Sequence, residues 1–544
     1  MDVTKLSIED LLQHPHVQGL YQMIHQLRLD LEAVKIELRK FKTLPRKPDI
    51  QPSKLDDPQE DTPEDKTTQE NNPEKKRPGS AKRSKTKDLV IHETKKLHIE
   101  NVGKDWKFIG FVDYVVQDLI IKAHNTCYQR AVWQTPEGKQ MMAALPSELQ
   151  GTHYGTNLQS FILYQYNQCQ VTQPLLSEQL YEYGIAISTG QIDNILNNNN
   201  DIFHAEAIDI LSTGLKIFPE IRTDDTSAPH QNHSGYCNCI NTDYFTYFKS
   251  TDSKSRINFL EILSGKNPVY VWDKDTICNL RANDLGKKYI SILENQPKQS
   301  FTDKLLWNIF LANKGIELDK NPQVYKQITE AALTQGLIIN GFNTNISIHS
   351  DDAGQFKLFT HSLCWKHVER PLLKLICYTD YQRKILDGRL KDFWCLYRDL
   401  KLYKMNQRLF AKESLERRFD KITEPIKEGK KGFAHLNPVL EKIATKKAEL
   451  LLVLERPDTS LHNNASENDI REFAKRRKVN GPTRSDAGRN AIDTFASLKK
   501  TYRKIGVSFW EYIVDRIAQK NTIPSLSSII SEKFAKDFRM ARAG

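Results

Sequence analysis

The segment Ile-Arg-Thr-Asp-Asp-Thr at residues 221–226 ends a short apolar run that begins at Leu215. A short apolar run followed by polar residues is typical of a buried strand that reaches the edge of its sheet. The segment therefore predicts an α/β core in which one strand carries Asp224 to that edge. The neighbouring Asp225 would point to the other face of the strand.

Two more acidic residues lie in similar settings. Asp351 follows the strand-like stretch Asn-Ile-Ser-Ile-His-Ser at 345–350, and Glu467 lies in Asn-Asn-Ala-Ser-Glu at 463–467, which predicts the start of a helix. Carboxylates are the oxygen ligands that hard cations such as Mg²⁺ prefer. Two acids at strand ends and one on a helix indicate a two-metal site for phosphoryl transfer.

The order of elements between these acids predicts a ribonuclease-H-like core. Residues 233–248 predict two antiparallel strands joined near 241–243, and residues 255–263 predict a helix. Three strands, a helix and a strand that ends at Asp351 would place the first two acids on adjacent strands. We interpret residues 264–344 as an insertion, and residues 356–364 as a helix end followed by a fifth strand.

The rest of the catalytic unit is predicted to be helical. Residues 366–457 are rich in Leu, Lys, Arg and Glu at helical spacing, which predicts an all-helical insertion that divides the core into 216–365 and 458–520, before a tail at 521–544. Arg471, Lys475 and Lys478 follow Glu467 on one helix face, which would suit a helix lying along DNA phosphates. The alternative is that Glu467 only pairs with Arg471 one turn away.

The N-terminal residues predict self-association. In residues 1–45, apolar side chains recur alternately every three and four residues, which is the spacing of a coiled coil: Val17, Leu20, Ile24, Leu27, Leu31, Val34, Leu38 and Phe41. A helix packed on its own domain is the rival interpretation. Residues 46–87 are polar and charged with a basic end, and predict a disordered linker that either grips phosphates or is merely solvated.

Two small units are expected before the core. Residues 88–145 predict a β-rich domain with strands at 115–121 and 128–133 and a turn at 136–138. Residues 146–215 predict helices, with one over 174–183, a stop at Gly184, and a second helix capped by Ser188 or Thr189. That outline is typical of a helix-turn-helix, whose second helix would offer Gln191 and Asn194 to base edges.

Composition favours a soluble protein that binds a polyanion. The chain has 544 residues, and 79 Lys and Arg against 68 Asp and Glu give a net charge of +11, which favours nucleic acid as the partner. The 8 cysteines include no Cys-x-x-Cys pair, so a reducing compartment is expected. The sequence has neither an apolar run of the roughly 18 residues that a membrane helix requires nor a signal peptide.

Two His and Cys clusters suggest other chemistry. His230, His233, Cys237 and Cys239 could bind zinc, but two cysteines two residues apart on a strand are more typical of buried thiols. His367, three residues after a cysteine, could orient a phosphate or a water molecule. A structural histidine explains it equally well.

Five motifs in a fixed order resemble one family. They are Asp-Asp-Thr at 224–226, Ser-Asp-Asp-Ala-Gly-Gln-Phe at 350–356, Cys-Trp-Lys-His-Val-Glu-Arg at 364–370, Asn-Asn-Ala-Ser-Glu-Asn-Asp-Ile-Arg at 463–471, and Arg-Arg-Lys-Val-Asn-Gly-Pro-Thr-Arg-Ser-Asp-Ala-Gly at 476–488. Together they resemble the large DDE transposases of bacterial insertion sequences, of the insertion-sequence-sixty-six type. That group often carries a Cys-x-x-Cys zinc module before the core. Residues 88–145 hold only Cys127, so a zinc-ribbon-like module here would be metal-free.

The resemblance implies a bacterial transposase that cleaves and joins DNA. Asp224, Asp351 and Glu467 would be the metal-binding triad for two Mg²⁺ or Mn²⁺ ions, with Asp224 chosen over the alternative Asp225 and Asp351 over the alternative Asp352. The implied partners are double-stranded DNA at the terminal repeats and the target, a second protomer, and accessory proteins of the same element, in the cytoplasm at the nucleoid. The alternatives are a catalytically inactive DNA-binding relative and a nuclease of the same fold that cuts without joining.

Overall fold

The computed structural model describes residues 89–98, 100, 105–377, 379–426 and 436–543. The predicted coiled coil at 1–45 and linker at 46–87 lie outside these residues. None of the helices in the described part of the chain combines the length and apolar composition needed to cross a membrane.

The β-rich region before the core contains one small hairpin. Strands β1 (Val132–Gln134) and β2 (Gln140–Met142) pair antiparallel around a turn in which Gly138 has a φ of +82°. Residues 105–131 contain no strand, so the strand predicted at 115–121 is wrong and most of that at 128–133 is absent. The apolar residues of this stretch are present, but a strand also needs a paired neighbour, and side chains such as Val116 remain exposed.

Four helices follow, and two of them match the predicted helix pair. The four are α1 (Thr156–Asn167), α2 (Gln173–Glu182), α3 (Thr189–Asn197) and α4 (Asp201–Ile217). Gly184 has a φ of +76°, which lets the chain turn sharply after α2. The Ser188 hydroxyl accepts a hydrogen bond from the Gln191 amide at 3.3 Å and so caps α3.

The first three strands of the central sheet and a helix come next. These are β3 (Glu220–Ser227), β4 (Tyr236–Asn241), β5 (Thr246–Thr251) and α5 (Arg256–Leu263). The segment at 264–344 then forms a two-stranded sheet and four helices. Its elements are β6 (Tyr270–Trp272), α6 (Lys274–Ala282), α7 (Lys287–Glu294), β7 (Gln299–Phe301), α8 (Lys304–Ala312) and α9 (Pro322–Ile339).

Strands β8 (Ser347–Ser350) and β9 (Thr360–Leu363) complete the sheet. The strand order is β5-β4-β3-β8-β9, in which β4 runs antiparallel to both β3 and β5, while β8 and β9 run parallel to β3. The chain is therefore an α/β protein with a mixed sheet. The strand that ends before Asp351 is adjacent to the strand that carries Asp224, as predicted.

Most of the remaining described residues are helical, including most of those in the range 366–457, for which the sequence predicts helices. The helices are α10 (Trp365–Leu373), α11 (Asp380–Met405), α12 (Lys412–Thr423), α13 (Leu436–Ala444), α14 (Lys447–Leu450), α15 (Asn464–Asn480), α16 (Asp486–Ile505), α17 (Phe509–Ile517) and α18 (Leu526–Ala543). The expected tail at 521–544 includes α18, which packs on α4 through the buried Leu526 and Ile530.

Two large apolar cores hold most of these elements together in the described part of the chain. The larger core joins the sheet to helices that precede it and helices that follow it in the chain, and α16 packs on β5. The smaller core lies within the helical insertion, where the fully buried Trp365 contacts Phe393, Tyr397 and Phe419. The insertion therefore has its own core, which meets the sheet where β9 runs into α10.

Candidate functional site

Asp224 and Asp351 lie at the same level on neighbouring strands. In the parallel pair formed by β3 and β8, Glu220 is the partner of Ser347 and Arg222 is the partner of His349. Asp224 follows Glu220 by four residues, and Asp351 follows Ser347 by four residues. Because neighbouring strands lie about 4.8 Å apart, this register brings the two backbones together at one edge of the sheet.

Helix α15 brings Glu467 to the same edge. The Asn463 side chain, which is fully buried just before α15, donates a 2.9 Å hydrogen bond from Nδ2 to the Thr223 carbonyl on β3. One turn into the helix, Asn241 on β4 donates from Nδ2 to the Ser466 hydroxyl at 2.9 Å. Two residues that precede Glu467 are therefore anchored, one to β3, which carries Asp224, and the other to the adjacent strand β4.

The charges of these acids affect one another. The pKa of Asp224 is raised from 3.8 to about 7, first because the carboxyl is buried and then because Asp351, Asp225 and Glu467 add negative charge nearby. The Asp225 amide donates a 2.8 Å hydrogen bond to the Asp224 carboxylate, which acts in the opposite direction. The structure thus brings Asp351 and Glu467 close enough to Asp224 for their charges to act on it.

Asp225 and Asp352, the two aspartates that the sequence analysis did not assign to the metal site, have basic partners. Asp225 forms an ion pair with Lys254 and accepts a 2.7 Å hydrogen bond from Gln355. Asp352 pairs with Lys357 at 3.0 Å and with Lys446 on the helical insertion. These cations balance the second aspartate of each pair, whereas Asp224 faces other acids.

Glu467 lies among three basic side chains. Its carboxylate is 3.3 Å from the Arg370 guanidinium, 3.2 Å from that of Arg471, and 3.8 Å from His367 Nε2. Glu467 therefore does pair with Arg471 one turn away, as the alternative interpretation of this motif predicted. Burial and the Arg370 charge lower the pKa of His367, so its imidazole is neutral near pH 7.

The donor chemistry of the three acids suits a hard cation. Across the described residues, no group of three or more His, Cys, Asp or Glu side chains is gathered as a metal-binding cluster. The buried, mutually repelling carboxylates of Asp224 and its neighbours would nevertheless be stabilised by a divalent cation, which supplies the missing positive charge. Oxygen-only donors favour Mg²⁺ or Mn²⁺ over zinc.

Apart from His367, whose side chain is only 17% exposed, the predicted DNA-contacting side chains are accessible. Arg471, Lys475 and Lys478 are exposed along α15. Gln191 and Asn194 are exposed on α3, where Asn194 accepts a 2.7 Å hydrogen bond from Asn198.

The cysteines near His230 are buried thiols, as the preferred interpretation predicted. Cys237 and Cys239 lie on one face of β4 and pack against Phe248 and Phe473, and burial raises the pKa of both thiols. His230 instead contacts the Thr483 hydroxyl at 2.8 Å and the Asp486 carboxylate at 3.0 Å.

Sequence reasoning missed four residues that shape this region, namely Lys254, Gln355, Arg370 and Asn463. Gln355, Arg370 and Asn463 lie inside motifs that the sequence analysis quoted, so their position in those motifs was an available signal. Lys254 lies outside every motif, and only the fold brings it to Asp225.

Comparison with known proteins identifies the family. The Transposase IS66 family matches residues 329–491, a range that includes Asp351 and Glu467. A protein of Sinorhizobium fredii (strain NBRC 101917 / NGR234), called "Uncharacterized protein y4jO", is 35% identical over 325 residues, which cover 60% of this chain and 100% of the relative. This chain therefore belongs to the IS66 family of transposases.

Proposed function

We propose that this protein is an active transposase that cleaves DNA at the ends of an insertion sequence and joins the freed ends to target DNA. The main supporting observation is that three elements, each next to or bearing one of the acids, meet at one edge of the sheet. They are β3 with Asp224, the end of β8 before Asp351, and α15 with Glu467. Family membership supports DNA transposition as the reaction.

The sheet supports a ribonuclease-H-like core as the scaffold. Its order β5-β4-β3-β8-β9, with three antiparallel strands followed by two parallel ones, is the arrangement expected for that fold. The helical insertion then lies between the fifth strand and the helix that carries Glu467.

The proposed metal ligands are Asp224, Asp351 and Glu467. Two bound Mg²⁺ or Mn²⁺ ions would supply Lewis-acid activation of water and of the 3′-hydroxyl, and would stabilise charge on the transferring phosphate. The chain itself holds the acids together against their repulsion through the buried Asn463 and Asn241 contacts. Arg370 and Arg471, which are 46% and 67% exposed, neutralise Glu467 and lie within reach of solvent and of a DNA phosphate.

The proposed DNA contacts lie on two elements. Arg471, Lys475 and Lys478 on α15 would bind phosphates beside the acids, with His367 as a further candidate, and α2 and α3 would act as a helix-turn-helix with Gln191 and Asn194 facing bases. We also propose a homodimer that holds both element ends, and a cytoplasmic, nucleoid-associated location.

A cleavage assay tests the proposal. The substrate is a labelled duplex copied from the DNA that borders the coding region, incubated with Mg²⁺. The expected result is cleavage and joined products for the parental protein, and loss of both with retained DNA binding for Asp224→Asn, Asp351→Asn and Glu467→Gln.

Asp352→Asn is the matched control, because Asp352 is adjacent to Asp351 but is 44% exposed and paired with lysines. Its cleavage rate should stay within about threefold of the parental rate, as for most surface substitutions. Parental-rate cleavage by Asp224→Asn would contradict the assignment of the acids. Binding without cleavage by the parental protein would favour an inactive DNA-binding relative, and cleavage without joining would favour a nuclease.

A further inference from the structure

Asp225 uses both carboxylate oxygens to join separate parts of the chain. Its side chain is only 6% exposed; Oδ1 contacts the Lys254 ammonium and Oδ2 accepts the 2.7 Å hydrogen bond from Gln355. A buried carboxylate is stable only when its charge and lone pairs are matched in this way. The two contacts are therefore required by the location of Asp225.

The two partners come from segments that border the acids. Lys254 lies between β5 and α5, and Gln355 lies in a short helical turn four residues after Asp351. Arg256, from the same segment as Lys254, donates a 2.7 Å hydrogen bond to the Gly354 carbonyl. Through its hydrogen bond with Gln355, Asp225 thus connects the loop that follows Asp351 to the strand that carries Asp224.

Lys254 is held at this border with part of its ammonium facing solvent. The side chain is 46% exposed, and the ammonium lies 5.1 Å from the centre of the Tyr236 ring. It also interacts electrostatically with Asp351. An ammonium has three N–H donors, so the contact with Asp225 leaves donors for an anion.

An ordinary ion pair does not account for this arrangement. A pair between two exposed side chains contributes little to stability and needs no fixed geometry. Here the acid is buried, its second oxygen is fixed by Gln355, and the exposed partner is the cation alone. The contacts fix a positive charge beside the Asp224–Asp351 edge.

We propose that Lys254 binds a backbone phosphate of the DNA strand at the cleavage site, and that Asp225 is a positioning residue which holds Lys254 and the Asp351 loop in place. This inference rests on the proposed function, because the phosphate belongs to the DNA that the three acids would cleave. It assigns Asp225 a role distinct from metal binding.

The first test measures DNA binding. The variants are Lys254→Met, Lys254→Arg and, as a matched control, Lys266→Met, because Lys266 is an exposed lysine after α5. The probe is the labelled duplex from the DNA that borders the coding region, titrated at several salt concentrations. Lys254→Met should weaken binding about tenfold, which is the effect of losing a hydrogen bond to a charged group.

The salt dependence separates a phosphate contact from a structural effect. Losing one phosphate contact should reduce the slope of log K against log[salt] by about 0.9. Lys254→Arg should restore both affinity and slope, and Lys266→Met should change neither. Unchanged affinity and slope in Lys254→Met would overturn the role of Lys254.

The second test separates Asp225 from the metal ligands. Titration calorimetry should show that Asp224→Asn no longer binds Mn²⁺, whereas the Mn²⁺ affinity of Asp225→Asn should stay within about threefold of the parental value. The cleavage rate of Asp225→Asn at saturating DNA should fall about tenfold. Loss of Mn²⁺ binding in Asp225→Asn would make Asp225 a ligand and overturn its positioning role. If Asp225→Asn does not fold, the Lys254 variants decide the inference, because that side chain is nearly half exposed.

The outcomes also distinguish this inference from the proposed function. A parental protein that binds the duplex but cleaves nothing would contradict the proposed function, while the salt slope would still test Lys254. Normal cleavage by the parental protein and by Lys254→Met alike would contradict only the inference.

Discussion

Replacing Asp224 with Asn should stabilise the metal-free protein at neutral pH. The pKa of Asp224 rises from 3.8 to about 7 on folding, because burial and the neighbouring acids disfavour its charge. Between these two pH values the folded protein retains a proton that the unfolded chain has released. The free energy of unfolding therefore falls as pH rises, and this loss is complete above pH 7.

The size of the effect follows from the shift. Each pKa unit corresponds to about 1.4 kcal/mol, so raising the pH from 5 to 8 should cost the parental protein about 2.7 kcal/mol that Asp224→Asn does not lose. The free energy of unfolding of the variant, relative to that of the parental protein, should therefore rise by about 2–3 kcal/mol between pH 5 and pH 8. Below pH 3.8 both proteins carry a neutral side chain at this position, so this contribution disappears.

Calorimetric melting in EDTA at pH 5 and pH 8 measures this difference. The quantity to compare is the Tm of Asp224→Asn minus the Tm of the parental protein. For a catalytic core of this size, 2–3 kcal/mol means that this difference should be roughly 4–12 °C larger at pH 8 than at pH 5. Adding Mg²⁺ at pH 8 should raise the Tm of the parental protein but not that of the variant. A difference in Tm that stays constant with pH would refute the reasoning, because it would mean that Asp224 is not held in a repulsive, buried setting.

Two further predictions concern packing and assembly. Gly336→Ala should destabilise the protein by about 3 kcal/mol or more in urea denaturation followed by tryptophan fluorescence, because the new methyl group would lie 1.8 Å from the Val269 carbonyl oxygen. Gly388→Ala, in open space on α11, is the control and should stabilise by about 0.5–1 kcal/mol; equal stability of the two variants would contradict the predicted packing. Deleting residues 1–45 should halve the molecular mass measured by light scattering, and an unchanged mass would argue against the predicted coiled coil.

Local elements were predictable because their signals are local. Ser188 and Ser255 cap the helices that follow them, and Gly184 ends α2 with a positive φ. Such contacts lie within a few residues of one another, so the sequence displays both partners together. The strands around Asp224 and before Asp351 were predictable for the same reason, from their short apolar runs.

Signals that need a distant partner were less reliable. The apolar residues at 115–121 predict a strand, yet the structure forms none there, because a strand is stable only beside another strand. Residues 521–544 carried no strong signal, and their helix α18 gains its stability from packing on α4, more than three hundred residues earlier in the chain.

The sequence alone determined which acids to consider and the kind of element on which each lies, because a strand end and a helix start are set by neighbouring residues. Tertiary structure alone decided which charges surround them. The register of β3 with β8 brings Asp224 level with Asp351, the Asn463 contact brings α15 to the same edge, and Lys254 and Arg370 come to the acids from separate loops and helices. Electrostatic interactions depend on distance in space and on burial, and a linear sequence records neither.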